Sequence, residues 1–454
     1  MTRIWAARAL LPTGWAEDVS LRIGADGRIA EIGAGRPEGA VRAAFLAPAP
    51  ANSHSHAFQR ALAGLTERRG PNPTDSFWTW RDLMFRFLDR IDPDQVEAIA
   101  AFVQMEMLEA GFGASVEFHY LHHQPGGAPY ARLGEMAERI AAAAATSGIG
   151  LTLLPVHYRF GGCDRRPLGP GQIRFGNEPE QFARLMEEAR RALADLPADS
   201  ALGVAPHSLR AVAAEDIAGA AALAQGGPIH MHLAEQIAEV DEVVAALGAR
   251  PVEWMLENAD LGPAWCLIHC TQMLPRETEA LARTGAVAGL CPLTEASLGD
   301  GIFDGVRWMG AGGAVSIGSD SNIRISLAEE LRQLDTSQRL RDHSRAALAT
   351  PDLSTGRRLF ESVAAGGACA AARGRGVIAV GEWADLLALD GEHPDLAGLQ
   401  GDTALDAFVF AGGSDMVSDV WSAGRHLVRN GRHRSRDAIV AAYRAAVTPL
   451  RAGL

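Results

Sequence analysis

His54 and His56 stand one residue apart in NSHSHAFQR, residues 52–60, directly after the apolar, proline-punctuated run FLAPAPA. In an extended segment the side chains at i and i+2 project from one face, so these two imidazoles converge on a single point. Joint ligation of a metal ion is the chemistry such a pair could do. An isolated HxH is more often a pair of loop or capping histidines, so the rest of the chain has to decide. More candidates follow: His119 and Tyr120 in ASVEFHY, His207 in LGVAPHS, His230, His232 and Glu235 in PIHMHLAEQ, His269 in WCLIHCT and Asp320 in AVSIGSD. Three imidazoles and a carboxylate suit a zinc-like divalent ion that keeps one position open for water. His54, His56, His232 and Asp320 are the expected ligands. Glu235, three residues past His232, is placed to reach that water without ligating and to carry its proton to a leaving nitrogen. Read singly, each histidine is a hydrogen-bonded core residue and Glu235 a carboxylate at a helix N-terminus.

The elements that would position these residues argue against reading them singly. Eight apolar or small-residue runs have the texture of buried parallel strands: residues 45–51, 114–120, 151–158, 202–208, 228–234, 265–271, 286–292 and 314–320. Helix-like stretches such as PEQFARLMEEARRALADL and AEQIAEVDEVVAAL separate most of them, which predicts a TIM-like (β/α)8 barrel of the α/β class. In that architecture catalytic side chains sit at the C-terminal ends of strands. The candidates recur at those ends. Residues 58–112 form a longer first excursion carrying the aromatic, arginine-bearing DSFWTWRDLMFRF.

Both termini have another character. VSLRIGADGRIAEIG places two alternating runs around an Asp-Gly turn signal, and residues 377–433 repeat that texture in VIAVGEWADLLALD, DAFVFAGG and VSDVWSAGRHLVRNGRH. The expected organisation is a small β domain from residues 1–47 and 374–433, a catalytic barrel from 48–373 and a C-terminal helix from 434–454.

Composition bounds the function. The 454 residues are enough for one large domain and a smaller partner. No apolar stretch is long enough to predict a membrane span, and the N-terminus lacks an export signal pattern, so a cytoplasmic protein is expected. Five cysteines without a CxxC suggest neither a disulfide framework nor a zinc ribbon. A net charge of -13 disfavours nucleic acid as a partner and leaves small molecules or a second copy of the chain, as a homodimer. All 42 basic residues are arginine. Without lysine there is no Schiff base, no Walker A lysine and no metal-bridging carboxylated lysine.

With HxH on strand one, histidines on strands five and six and an aspartate on strand eight, the chain resembles the amidohydrolase superfamily over nearly its whole length. HLAEQ is similar to the deaminase branch, in which a glutamate follows the metal histidine by three residues. SHAFQRALAGL, DSFWTWRDLM, EFHYLHH, PHSLRAV and HMHLAEQ together resemble the formimidoylglutamate deiminase family. The resemblance implies one divalent metal, most simply Zn2+, since relatives with two ions usually bridge them through the missing lysine. It implies Glu235, His269 and Asp320 as catalytic residues, and Gln59, Arg81, Tyr120, His207 and Arg210 as substrate-binding residues. The implied reaction is hydrolysis of N-formimino-L-glutamate to N-formyl-L-glutamate and ammonia in histidine degradation. Metal and His269 would orient water, while Asp320 and Glu235 accept protons. Guanidinium groups fit such a dicarboxylate independently of the resemblance.

Two other readings compete. An aminohydrolase of the same barrel acting on a guanine- or cytosine-like heterocycle would have no use for two arginines at the metal. A catalytically silent barrel serving as a binding module would have no use for the ligand set together with Glu235.

Overall fold

The computed structural model describes residues 2–67 and 77–452. Residues 75 and 76 of the aromatic-arginine block, and the side chains of 77–79, lie outside the described residues. The eight barrel strands are, in order, Ala51–Ser55, Ala114–His119, Gly150–His157, the broken pair Ala201–Leu202 and Ala205–Pro206, Ile229–Leu233, Trp265–His269, Val287–Leu290 and Ala314–Ile317. Neighbours pair in parallel. Strand eight closes on strand one through Ile317 with Asn52 and Ser55 with Asp320. Strands four and five close through Val204 and Ile229, where Val204 N–H donates to Pro228 O and His230 N–H to Val204 O, both at 3.0 Å. Buried on both faces by the barrel interior and the surrounding helices, these strands read as continuous apolar runs rather than alternating ones.

Strand one differs from expectation. Residues 45–48 of FLAPAPA belong to Val41–Pro48, a strand of the terminal sheet that pairs with Arg3–Leu11 and Leu386–Leu389. Pro48 and Pro50 carry no backbone N–H and cannot both continue one ladder. The chain leaves the first sheet there, and the barrel strand begins afresh at Ala51. His54 therefore lies inside its strand and His56 just beyond it.

The terminal sheet has eight strands drawn from both ends of the chain. In spatial order they are Arg432–His433, Arg425–Arg429, Val417–Ser422, Leu386–Leu389, Val41–Pro48, Arg3–Leu11, Gly14–Ile23 and Ile29–Ala34. The expected hairpin joins Gly14–Ile23 to Ile29–Ala34. Gly27 turns it at φ +81°, where an added Cβ would lie 2.4 Å from Ala423 O. DAFVFAGG is a correction: it belongs to a helix, Asp402–Phe410, instead of a strand. Ala404, Leu405, Phe408 and Val409 are buried at helical spacing, against the helix Thr355–Ala370. Its aromatic and β-branched content suggested a strand, but burial at i, i+1, i+4 and i+5 is a helix face.

The long excursion after strand one holds the helices Phe77–Leu88 and Pro93–Glu109. The first of these brings Trp80, Arg81, Met84 and Phe85 over the C-terminal end of the barrel. Among the described residues no helix is long and apolar enough to cross a membrane.

Candidate active site

Strands one, five and eight deliver His54, His56, His232 and Asp320 to one point. Gly318 lets strand eight pass close beneath strand one, since a Cβ there would lie 2.6 Å from that of His54. Ser319 and Asp320 N–H then donate to His54 O at 3.0 and 2.9 Å, and His56 N–H donates to Asp320 O at 2.9 Å. Asp320 itself takes φ +45°, a left-handed conformation that an L-residue holds only when its surroundings enforce it. Asp320 Oδ1 lies 3.3 Å from Nε2 of both His54 and His56, and the Nε2 atoms of His54 and His232 are 3.1 Å apart.

This donor set fits a metal ion. One ligand atom from each of the four lies within 4.8 Å of the others, and a tetrahedral ion with bonds of about 2.1 Å separates its ligands by roughly 3.4 Å. His56 Nδ1–H donates to Phe118 O at 3.0 Å, which leaves its Nε2 lone pair facing the cluster. Burial lowers His54 to about 3 and also lowers His56 and His232, so all three rings are held neutral, the form that ligates. Burial pushes Asp320 up, but the hydrogen bond with His54 and the neighbouring imidazoles of His56, His54 and His269 hold it below the usual aspartate range.

Glu235 is buried at the edge of this cluster. The helix Ile237–Leu247 begins just beyond it, yet Glu239 serves as the helix-terminal carboxylate, accepting from Ala234 N–H at 3.1 Å and Glu235 N–H at 2.9 Å. The Glu235 carboxylate is left to the cavity. Its oxygens lie 3.5 Å from Arg210 Nη2 and 3.9 Å from His269 Nε2. Burial raises its pKa against the opposing charges of His269 and Arg210. His269, at φ +73°, has Nδ1 3.2 Å from Glu295 Oε1, which also accepts from Cys291 N–H at 2.8 Å. Burial pushes the His269 ring down, but Glu235, the Glu295 hydrogen bond and Asp320 together raise it to about 10.

The cluster opens into a cavity also lined by Gln59, Arg81, Tyr120, Tyr158, His207 and Arg210. Gln59 Nε2–H donates to Tyr120 OH at 2.7 Å. His207 packs its ring 4.8 Å from that of His232. Burial lowers the Arg81 pKa and Arg210 lowers it further, so two like charges share one wall.

The fold thus gathers the ligand, catalytic and binding candidates around one chamber, with His54 behind it and the other ten on its surface. Two other strand-end histidines stay out. His230 lies two residues below His232 on the same face, and its Nε2–H donates to Ala370 O at 2.8 Å under the barrel. His119 alternates with Phe118 and packs outward on His122. Sequence reasoning passed over Tyr158, Glu239 and Glu295. Tyr158 and Glu295 each follow a barrel strand closely, and that position was the one available signal.

The amidohydrolase family matches residues 45–427, and the N-terminal domain of formimidoylglutamate deiminase HutF matches residues 1–41. The chain is 48% identical over 446 residues to a formimidoylglutamate deiminase of Pseudomonas aeruginosa, covering 96% of this chain and 97% of that one. A crystal structure of an amidohydrolase from Brucella melitensis superposes with a TM-score of 0.95 at 47% identity, over 99% of this chain and all of that chain (100%). An adenosine deaminase from Xanthomonas campestris with bound zinc shares the fold, with a TM-score of 0.83 at 21% identity over 99% and 98% of the two chains.

Proposed function

The chain belongs to the amidohydrolase family, and on that premise we propose that it is a formimidoylglutamate deiminase, hydrolysing N-formimino-L-glutamate to N-formyl-L-glutamate and ammonia in histidine degradation. The observation that carries the substrate is the placement of Arg81 and Arg210 on the same cavity as Glu235 and the metal cluster. A dicarboxylate needs two cations. A neutral heterocycle offers them nothing.

His54, His56, His232 and Asp320 would hold one divalent ion, zinc in this reading, as in the Xanthomonas relative's structure. When bound, that ion supplies Lewis-acid activation of water near neutral pH. Glu235, its pKa raised by burial, takes a proton as water adds to the formimino carbon and returns it to the departing nitrogen. His269, cationic between Glu235 and Glu295, steadies the negative charge that builds on the attacking oxygen, and Asp320 takes the second proton and passes it on to the departing ammonia. Arg81 and Arg210 hold the two carboxylates, which keeps the glutamate nitrogen at the wall and turns the small terminal nitrogen toward Glu235. Ammonia leaves, rather than formamide. Gln59, Tyr120 and His207 complete the binding wall. In the same reading the enzyme is a cytoplasmic homodimer whose chain divides at residues 47, 373 and 433.

Product analysis by NMR tests the reaction: the formyl C–H signal of N-formyl-L-glutamate is expected, and formamide with free glutamate overturns the assignment. Arg81→Met and Arg210→Met should each cost roughly 2 to 4 kcal/mol in kcat/KM with metal content intact. If neither change matters in folded protein, the heterocycle aminohydrolase becomes the better reading.

A further inference from the structure

Tyr158 has no role in the chemistry above, although it lines the same cavity as Arg81 and Arg210. It follows barrel strand three by one residue, as Tyr120 follows strand two. The ring is buried between Phe175 and His207, with centroids 5.6 and 4.5 Å away, so its position is set by packing. What distinguishes it is the direction of its hydrogen bond. In the turn at residues 169–172, Gly169 N–H donates to Gln172 Oε1 at 3.0 Å. A backbone N–H can only donate, so the amide orientation of Gln172 is determined: oxygen to Gly169, nitrogen to the tyrosine. Gln172 Nε2–H accordingly donates to Tyr158 OH at 2.8 Å. The phenolic oxygen is used as an acceptor, and its own hydrogen must go elsewhere. The two guanidiniums beside it are donors only and cannot receive it. Both lie near enough to pull the phenol's pKa down against burial, which raises it. Tyr120 is arranged differently, because its hydrogen has an outlet in Met84 Sδ at 3.6 Å.

We propose that the Tyr158 hydroxyl is a specificity-determining group that donates a hydrogen bond to one of the two substrate carboxylates held by Arg81 and Arg210, with Gln172 as the positioning residue that turns its proton toward the cavity. The inference rests on the dicarboxylate reading of the site. It adds a third, uncharged donor whose polarity is enforced by a residue that never touches substrate.

The test begins with ammonia release from N-formimino-L-glutamate by the unaltered enzyme. No release overturns the reaction and this assignment together; the remaining outcomes bear on the tyrosine alone. Tyr158→Phe should lower kcat/KM roughly ten- to hundredfold, mostly through KM, the scale of a hydrogen bond to a charged group. Metal content should not change. Gln172→Glu keeps the shape and the bond from Gly169 but presents an acceptor to the phenol, drawing the proton away from the cavity. It should reproduce the Tyr158→Phe loss, and the double variant should be no worse than either single one. A merely structural role would not respond to that reversal of polarity. The formimino derivatives of 4-aminobutyrate and 2-aminobutyrate each keep one carboxylate. Tyr158→Phe should be penalised on one of them and not on the other. Full kcat/KM in Tyr158→Phe, Gln172→Glu behaving as unaltered enzyme, or equal loss on both monocarboxylates overturns the proposal.

Discussion

The two ends of the barrel bury charge in opposite ways. At the N-terminal end of strands three and four, Asp199 is 1% exposed in its side chain and accepts bidentately from Arg425, at 2.7 and 2.6 Å, and from Arg373 Nη2 at 3.0 Å. Arg373 in turn donates to both oxygens of Asp385 at 2.8 Å, and Arg425 Nε–H donates to Gly148 O at 2.9 Å. Each charge has an opposite partner. Because Arg425 comes from the terminal sheet and Asp199 from the barrel, the network also ties the two together. At the C-terminal end, the neutral imidazoles of His54, His56 and His232 converge with the carboxylate of Asp320, and Arg81 and Arg210 line one cavity. Both ends cost desolvation. The first offsets it in a closed network of opposite charges, and the second gathers its donors around a point that fits a metal ion. Buried polarity that closes on itself reads as structure; buried polarity left open reads as function.

That contrast can be broken at either end. The largest effect should come from the ligands: Asp320→Ala or His56→Ala should abolish turnover and reduce metal from about one equivalent to none, with metal analysis as the readout. Full occupancy after either change would mean that the cluster is not the metal site. Removing Asp199 should act in the other currency. Asp199→Asn takes the countercharge from the buried Arg373 and the partly buried Arg425 and should cost about 3 to 5 kcal/mol of unfolding free energy in urea, while the folded fraction keeps its kcat. A comparable loss of kcat would show that the two ends are coupled. Glu235→Gln removes a proton carrier without emptying the site, so turnover should fall on the order of 10²-fold or more with metal and substrate binding retained. Near-normal turnover would move Glu235 to the structural side of the contrast.

The smallest effect is one of pH. Burial pushes the Asp199 carboxyl up, but Arg425 and Arg373 outweigh it and hold the group below the usual aspartate range. A depressed carboxylate contributes stability that is present above its unfolded pKa of about 3.9 and is lost as pH falls through the folded value. Between about pH 5 and pH 3 the unaltered protein should therefore lose more unfolding free energy than Asp199→Asn does. Loss of metal with acid is common to both proteins and cancels in the difference.

Residue types and their local periodicity were enough to predict the barrel, the sheet built from both termini and the convergence of the strand-end histidines with Asp320. Parallel strands buried on both faces must be apolar throughout, and the polar residues that interrupt such runs at one end have to converge. What local pattern could not resolve was competition between neighbouring sheets and between periods. FLAPAPA is equally apolar in either sheet, and two prolines transfer the chain from one to the other. DAFVFAGG carries strand-favouring side chains, yet the buried face of Thr355–Ala370 selects its helical spacing. The direction of individual protons was likewise beyond the sequence. Glu239, and not Glu235, occupies the helix terminus, a choice between two nearby carboxylates, while Glu295 holds His269 and Gln172 turns Tyr158 across gaps in sequence that no spacing rule spans. Composition and order determine which groups reach the chamber, because strand ends place them there. Only the tertiary structure decides which of those groups is already satisfied by a neighbour and which is left free to act.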